Sequence, residues 1–226
     1  MKYSVLLFDL DQTILDTDTN AERALKNLKL PFEFNFTNDR VLHWHHTQQR
    51  MWADLELGKL TRQQLVDTRF QTYFNKYDIE VDSLALEAQF ERTFFAEHEL
   101  MPHAKELLQT VHGNYKTVVI SNGTRAKQEK ILHDAKIAPL FDEIFLAEDL
   151  GYSKPDPQFF EKVVNGLNPF KKSDMLVIGD SLTADIQGAI ESNIDSVWFN
   201  PHHAKTTMSP TYEVSDLKDI ANILAQ

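Results

Sequence analysis

The sequence contains no cysteine among its 226 residues. This absence excludes disulfides, thiolate catalysis, and zinc or iron–sulfur sites with cysteine ligands. Long hydrophobic runs are absent as well. The apolar run near the N-terminus extends only from Val5 to Phe8 and is too short for a signal peptide. No stretch approaches the roughly 18 apolar residues of a membrane span. We therefore expect a cytoplasmic protein.

Positive charge is scarce in this chain. The 23 Lys and Arg residues are outnumbered by 34 Asp and Glu residues, which gives a formal net charge of −11. An acidic surface repels nucleic acids and anionic lipids, so neither is expected as a partner. A small phosphorylated ligand held by a few local cations is compatible with this charge. With 42% hydrophobic residues, the chain has enough apolar material for a sizeable core.

Short, nearly continuous apolar runs recur along the chain and predict strands that are buried on both faces of a parallel sheet. These runs are Ser4–Leu10, Thr117–Ile120, Glu143–Leu146, Met175–Ile178 and Ser196–Phe199. Amphipathic segments of helix length precede the last four runs, namely Ala104–Val111, Arg125–Asp134, Gln158–Asn165 and Leu182–Glu191. Alternating strands and helices predict an α/β fold with a doubly wound parallel sheet.

One long segment interrupts this alternation. Between about Asp18 and Glu97 the sequence has no strand pattern and only helical patterns. The helical patterns lie around Ala21–Leu28, Asp39–Leu55, Arg62–Asn75 and Ser83–Glu97. We therefore predict an α/β core formed by residues 1–15 and 100–226, with an all-helical insert at residues 16–99. A helical insert in an α/β domain is typical of a cap or lid.

The first predicted strand ends in the run Asp9-Leu10-Asp11-Gln12-Thr13. In an open parallel sheet, ligands bind beyond the carboxyl ends of the strands. Residues two apart on an extended segment point the same way. Asp9 and Asp11 are therefore predicted to face one site while Leu10 turns towards the core.

Three other segments are predicted to supply polar groups to the same edge of the sheet. The second strand is followed by Ser121-Asn122-Gly123-Thr124, a strand-to-helix turn whose N–H groups suit an anion. Lys154 lies in a loop that two prolines stiffen. The fourth strand is followed by Asp180, and Asp185 lies in the first turn of the next predicted helix.

These segments together predict a set of carboxylates, one hydroxyl, one amide and one cation. Carboxylate oxygens without His or Cys suit a hard cation, and Mg²⁺ completed by water and substrate phosphate fits this set. Mg²⁺ and Lys154 would neutralise a phosphoryl group, so that an anionic carboxylate attacks it without strong charge repulsion.

These four elements, in this order and spacing, resemble the haloacid dehalogenase-like (HAD) hydrolase superfamily over essentially the whole chain. The resemblance implies a Rossmann-like α/β core with an inserted helical cap. It also implies a two-step reaction in which Asp9 is the nucleophile and Asp11 is the general acid and base. Asp11 would protonate the leaving oxygen and then activate the water that hydrolyses the aspartyl-phosphate.

The same resemblance implies roles for the other residues. Ser121 and Asn122 would hold the phosphoryl oxygens, and Lys154 would bridge the phosphate and the nucleophile. Four residues would supply Mg²⁺ ligands: Asp9, Asp11 through its backbone carbonyl, Asp180, and Asp185 either directly or through another ligand.

A finer resemblance is to the noncanonical pyrimidine 5′-nucleotidases. It rests on Met51–Thr61 and Arg69-Phe70 in the insert, and on Ser121–Thr124 and Trp198–His203 in the core. It implies hydrolysis of nucleoside monophosphates, including modified pyrimidine nucleotides. The expected partner is thus a small phosphorylated substrate.

Other functions stay open at this point. A phosphatase of a sugar phosphate or of phosphoglycolate carries the same motifs, and so does a phosphomutase, although mutases typically have Gly where this chain has Thr13. Carbon–halogen hydrolases lack the second Asp, and Asp11 is present here. Loss of Asp9, Asp11 or Lys154 would favour a binding or regulatory protein without catalytic activity, but all three residues are present. The sequence does not decide between a monomer and a dimer.

Overall fold

A computed structural model describes residues 2–225 of the chain. The chain forms two compact units. We call the first, made of Met1–Asp16 and His98–Gln226, the α/β unit, and the second, Thr17–Glu97, the helical unit. Within the described residues, no helix is both long enough and apolar enough to cross a membrane.

Six strands in the described part of the chain form one sheet. They are β1 (Val5–Phe8), β2 (Lys116–Ser121), β3 (Glu143–Leu146), β4 (Met175–Gly179), β5 (Asp195–Phe199) and β6 (Tyr212–Val214). Their order across the sheet is β3-β2-β1-β4-β5-β6, and every neighbouring pair is parallel. The predicted doubly wound α/β fold is confirmed, with β1 at the centre between β2 and β4.

Both faces of the sheet are packed against apolar side chains. All four residues of β1 are fully buried. Leu6 and Phe8 belong to the core on one face, and Val5 and Leu7 belong to the core on the other. Because alternate residues of a strand point to opposite faces, a strand covered on both sides is apolar at every position. This explains why the strands could be predicted from continuous apolar runs.

The helical unit contains α1 (Thr17–Lys26), α2 (Asn38–Glu56), α3 (Arg62–Phe74) and α4 (Ser83–Phe94). Its core is largely aromatic and includes Trp44, Phe70, Tyr73, Phe74 and Phe90. A capping box begins α3, because the Thr61 side chain accepts from Gln64 N and the Thr61 N–H donates to Gln64 Oε1. The predicted helices are present, although α1 begins at Thr17 rather than near Ala21.

The helices of the α/β unit are α5 (Ala104–Val111), α6 (Arg125–Asp134), α7 (Ala147–Leu150), α8 (Pro157–Gly166), α9 (Gly188–Glu191) and α10 (Ile220–Leu224). The predicted helix Leu182–Glu191 is in fact a π-helical turn, Leu182–Gln187, followed by α9. The edge strand β6 was not predicted, because it has only three residues and its middle residue, Glu213, is exposed. The sheet order places a topological switch at β1 and β4, where open α/β sheets bind ligands.

Candidate active site

The two aspartates that follow β1 contact different partners. Asp9 continues the strand, since its N–H donates to Ile178 O of β4 at 2.9 Å, and its carboxylate is buried. The Asp11 carboxylate faces α6, where the Lys127 ammonium and the Gln128 amide both donate to it. One carboxylate is therefore enclosed at the strand end, while the other is held against a helix.

Lys154 places a buried ammonium between two carboxylates. Its Nζ lies 2.7 Å from Asp9 Oδ1, 2.6 Å from Asp185 Oδ1 and 3.0 Å from Ile120 O, and the side chain is only 2% exposed. Burial alone would lower the pKa of Lys154, but the charges of Asp185 and Asp9 outweigh it and hold the pKa above its usual value. Lys154 is thus a fixed positive charge at the strand ends.

Two further carboxylates follow β4. Asp180 lies directly after the strand, and its Oδ1 accepts from Thr13 Oγ1 at 3.2 Å. Asp185 lies in the π-helical turn, and its Oδ2 accepts from Ser181 N at 3.1 Å. Gly179 leaves room for this side chain, because a Cβ at that position would lie 2.2 Å from Asp185 Oδ2. The close packing of Asp185 over the strand end thus requires glycine at position 179.

Asp9, Asp180 and Asp185 form a cluster in which ligand oxygens lie within 4.8 Å of one another. Burial raises the pKa of Asp9 to about 7; the Lys154 charge opposes this shift, and the charges of Asp185 and Asp11 add to it. Burial also raises the pKa of Asp180 well above its usual value, with the Asp9 and Asp185 charges adding to the shift. When all three carboxyl groups are ionised, the single ammonium that contacts Asp9 and Asp185 leaves an excess of negative charge. A hard cation bound by oxygen ligands fits this cluster.

The turn after β2 brings a hydroxyl and an amide to the same edge. Ser121 is buried, and its Oγ accepts from Gly123 N at 2.9 Å and from Gln128 Nε2 at 3.0 Å. The Asn122 side-chain amide pairs with the Lys154 backbone, with Nδ2 donating to Lys154 O and Oδ1 accepting from Lys154 N, both at 2.9 Å. Asn122 therefore holds the loop that carries the ammonium.

The structure brings the seven predicted site residues to the ends of β1, β2 and β4. Asp9, Lys154, Asp180 and Asp185 form one group. A second group contains Asp11 and Ser121, which Gln128 links through its side-chain amide. The seventh residue, Asn122, is attached to the Lys154 backbone. Their chemical roles stay predictions.

Lys127 and Gln128 both contact Asp11 and were not among the residues predicted from the sequence. A signal for Gln128 was present in the sequence. Gln128, Ile131 and Leu132 form the buried stripe of α6, so a polar side chain occupies a helix position where the spacing requires an apolar one. A buried polar residue needs hydrogen-bond partners, and here those partners belong to the site.

Comparisons with known proteins agree with this architecture. Residues 3–193 match the family model of the haloacid dehalogenase-like hydrolases. The chain is 35% identical to the pyrimidine 5′-nucleotidase PynA of Streptococcus pneumoniae, over 99% of this chain and 96% of PynA. It is 27% identical to the pyrimidine 5′-nucleotidase YjjG of Escherichia coli, over the full length of both chains.

A solved structure gives the same result at the level of the fold. The HAD-hydrolase YfnB of Bacillus subtilis, in a crystal structure with bound magnesium, superposes with a TM-score of 0.90 and 33% identity. The similarity covers 100% of both chains. The family resemblance predicted from the four motifs is therefore confirmed.

Proposed function

We propose that this chain is a Mg²⁺-dependent 5′-nucleotidase that acts on pyrimidine nucleoside monophosphates. The chain belongs to the haloacid dehalogenase-like hydrolases and is a phosphoric monoester hydrolase. The observation that carries the proposal is the contact of 2.7 Å between Asp9 Oδ1 and Lys154 Nζ beside Asp180 and Asp185. A nucleophilic carboxylate needs positive charge close by when it approaches a phosphoryl group, and this cluster has both. In this proposal, the helical unit serves as the cap.

The proposed reaction has two steps. In the first, a carboxylate oxygen of Asp9 bonds to phosphorus, the bond from phosphorus to the 5′ oxygen breaks, and the Asp11 carboxyl gives its proton to that oxygen. In the second, Asp11 takes a proton from a water molecule whose oxygen bonds to phosphorus. The bond from phosphorus to Asp9 then breaks, which releases phosphate and regenerates both aspartates.

The other residues of the site provide charge and orientation. Lys154 holds Asp9 and offsets negative charge, and Asn122 fixes the backbone of the Lys154 loop. The Ser121 hydroxyl binds a phosphoryl oxygen. Asp9, Asp180 and Asp185 would hold the Mg²⁺ ion, together with the backbone carbonyl of Asp11. When bound, Mg²⁺ supplies positive charge that reduces repulsion between the cluster and the phosphate.

The choice of substrate class rests on the relatives. PynA and YjjG, which match this chain over nearly their full lengths, are both named pyrimidine 5′-nucleotidases. Because nucleoside monophosphates are metabolites of the cytosol, we also propose the cytoplasm as the location of the enzyme.

The test is phosphate release by the purified protein, with Mg²⁺ and with EDTA in its place. The substrates are pyrimidine and purine nucleoside monophosphates, sugar phosphates, phosphoglycolate and an aryl phosphate, with the Asp9→Asn variant as the blank. We expect Mg²⁺-dependent turnover that is highest with the pyrimidine nucleotides. Preference for another phosphomonoester would contradict the substrate class alone. Absence of turnover with every substrate would contradict the enzymatic proposal and favour a binding protein.

A further inference from the structure

Gln128 is a fully buried polar side chain that joins two parts of the site. Its side-chain Nε2 lies 2.8 Å from Asp11 Oδ2 and 3.0 Å from Ser121 Oγ. The side chain has no solvent exposure, and within residues 2–225 its Oε1 has no hydrogen-bond partner. The two hydrogens of one amide nitrogen thus connect the loop after β1 with the end of β2.

The contact with Gln128 determines what the Ser121 hydroxyl can do. A hydroxyl group has two acceptor positions and one hydrogen to donate. Ser121 Oγ already accepts from Gly123 N at 2.9 Å and from Gln128 Nε2 at 3.0 Å. Its remaining capacity is therefore that of a donor, and a phosphoryl oxygen is an acceptor. Gln128 thus fixes the hydroxyl in the state that an anionic ligand needs.

The contact with Asp11 restricts the position of that carboxylate. Gln128 Nε2 donates to Oδ2, and the ammonium of the preceding residue, Lys127, contacts Oδ1. Both donors lie in the first half of α6, so one short helical segment holds both carboxylate oxygens. A general acid must keep its oxygen within hydrogen-bond distance of the leaving group, so this restraint has a direct consequence for catalysis.

The packing around Gly123 accommodates the Gln128 amide. A Cβ at position 123 would lie 2.1 Å from Gln128 Nε2 and 2.9 Å from its Cδ. Any side chain at position 123 would therefore displace the amide from Ser121 and Asp11. The glycine of the Ser121–Thr124 turn makes room for the side chain of Gln128, five residues further along and within α6.

We propose that Gln128 is a positioning residue that acts through two others, orienting the Ser121 hydroxyl as a donor to the phosphoryl group and holding Asp11 for proton transfer to the leaving oxygen. The inference rests on the proposed function of the site, and it assigns Gln128 a role that none of the four motifs contains. It requires no contact between Gln128 and the substrate.

The test uses Gln128→Met, which keeps the length of the side chain and removes both amide donors. The matched control is Lys130→Met on the same helix, an exposed lysine whose Nζ lies 2.6 Å from Asp134 Oδ2. Each protein is assayed with a nucleoside monophosphate and with an aryl phosphate. The alkoxide leaving group of the nucleotide needs a proton, whereas an aryl oxide leaves with little assistance.

We expect Gln128→Met to lower kcat/KM, which reports the first step, for the nucleotide by at least about tenfold more than for the aryl phosphate. We also expect it to raise the inhibition constant of inorganic phosphate, because the Ser121 hydroxyl loses its orientation. Lys130→Met should change neither quantity. Gly123→Ala, which displaces the amide without altering Gln128, should reproduce the same leaving-group dependence. It provides the same test if Gln128→Met does not fold.

Three results would overturn the inference. Equal losses with both substrates, together with an unchanged inhibition constant of phosphate, would indicate a purely structural role, and wild-type kinetics in a folded Gln128→Met protein would indicate no role. In both cases the wild-type enzyme is active, so the proposed function survives. A wild-type protein without phosphatase activity would instead contradict the proposed function, and this inference with it.

Discussion

Lys154 and Asp185 form an ion pair that is almost completely enclosed, with Nζ 2.6 Å from Oδ1 and side-chain exposures of 2% and 1%. The same ammonium contacts Asp9 at 2.7 Å, so one cation holds carboxylates that follow two different strands, β1 and β4. Removing either partner of a buried pair leaves an uncompensated charge. The stability of the α/β unit and the chemistry of the site therefore depend on the same contacts.

We expect Lys154→Met to reduce both stability and activity. Without the ammonium, Asp9 and Asp185 face each other inside the protein, so the free energy of unfolding without metal should fall by roughly 3–5 kcal/mol. Denaturant unfolding of Lys162→Met provides the control, because Lys162 is exposed and donates to Leu150 O. The control should change the free energy by less than about 0.5 kcal/mol. Equal stabilities of the two variants would show that the buried ammonium is not needed for folding.

Asp180 and Asp185 should respond differently to amide substitution. Both Asp180→Asn and Asp185→Asn remove a carboxylate from the proposed metal cluster, so each should raise the Mg²⁺ concentration for half-maximal activity at least about tenfold. Of these two aspartates it is Asp185 that contributes its charge to the Lys154 ion pair, so Asp185→Asn alone of the two variants should also lower the melting temperature of the metal-free protein. Magnesium titrations of activity, combined with thermal unfolding, measure both effects. Unchanged magnesium dependence in both variants would exclude these carboxylates as ligands.

Binding of Mg²⁺ should weaken as the pH falls below neutrality. Burial raises the pKa of Asp9 to about 7, so this carboxyl group is increasingly protonated below that pH. A cation binds the ionised form, and binding therefore releases a proton. Calorimetric titration with Mg²⁺ at about pH 6 and about pH 8 should show weaker binding at the lower pH. Comparing the binding enthalpies in buffers of different ionisation enthalpy should show that binding releases protons. The pH dependence should be smaller in Asp9→Asn. Equal affinity at both pH values would argue against Asp9 as a ligand.

Gly179→Ala should destabilise the protein through the position of Asp185. A Cβ there would lie 2.2 Å from Asp185 Oδ2, and Asp185 is held by Lys154 and by Ser181 N. Crowding of this kind lowers the free energy of unfolding by about 1–3 kcal/mol. Displacement of the Asp185 carboxylate should also lower activity. Denaturant unfolding and phosphate release measure the two effects. A fully stable and active variant would mean that the end of β4 can shift to accommodate a methyl group.

Much of the α/β fold could be predicted because its strands are covered on both faces. Each such strand is a continuous apolar run, and its polar C-terminal residues mark the edge where ligands bind. The predicted residues Asp9, Ser121 and Asp180 lie at or directly after the ends of three strands for this reason. β6 gave no comparable signal, because it is short and includes the exposed Glu213.

Contacts between side chains distant in the sequence could not be predicted in this way. Asp11 and Gln128 are 117 positions apart, and their hydrogen bond depends on how α6 packs beside the loop after β1. The helical periodicity shows that the side chain at position 128 faces inward, but it does not show which group that side chain contacts. The pairing of the Asn122 side chain with the Lys154 backbone has the same origin, because only the folded sheet brings these two loops together.

In the proposed reaction, Asp9 forms a covalent bond to phosphorus during each turnover. The most direct measurement is borohydride reduction of the enzyme during turnover of a nucleoside monophosphate, followed by peptide mass mapping. Borohydride converts an aspartyl-phosphate to homoserine, so we predict homoserine at position 9 in the wild-type protein. With an aryl phosphate as substrate, Asp11→Asn should give more of it, because the aryl oxide leaves with little proton assistance while hydrolysis of the intermediate loses its proposed base. The unreacted enzyme should show none. Modification at a different residue, or full turnover by Asp9→Asn, would contradict the account.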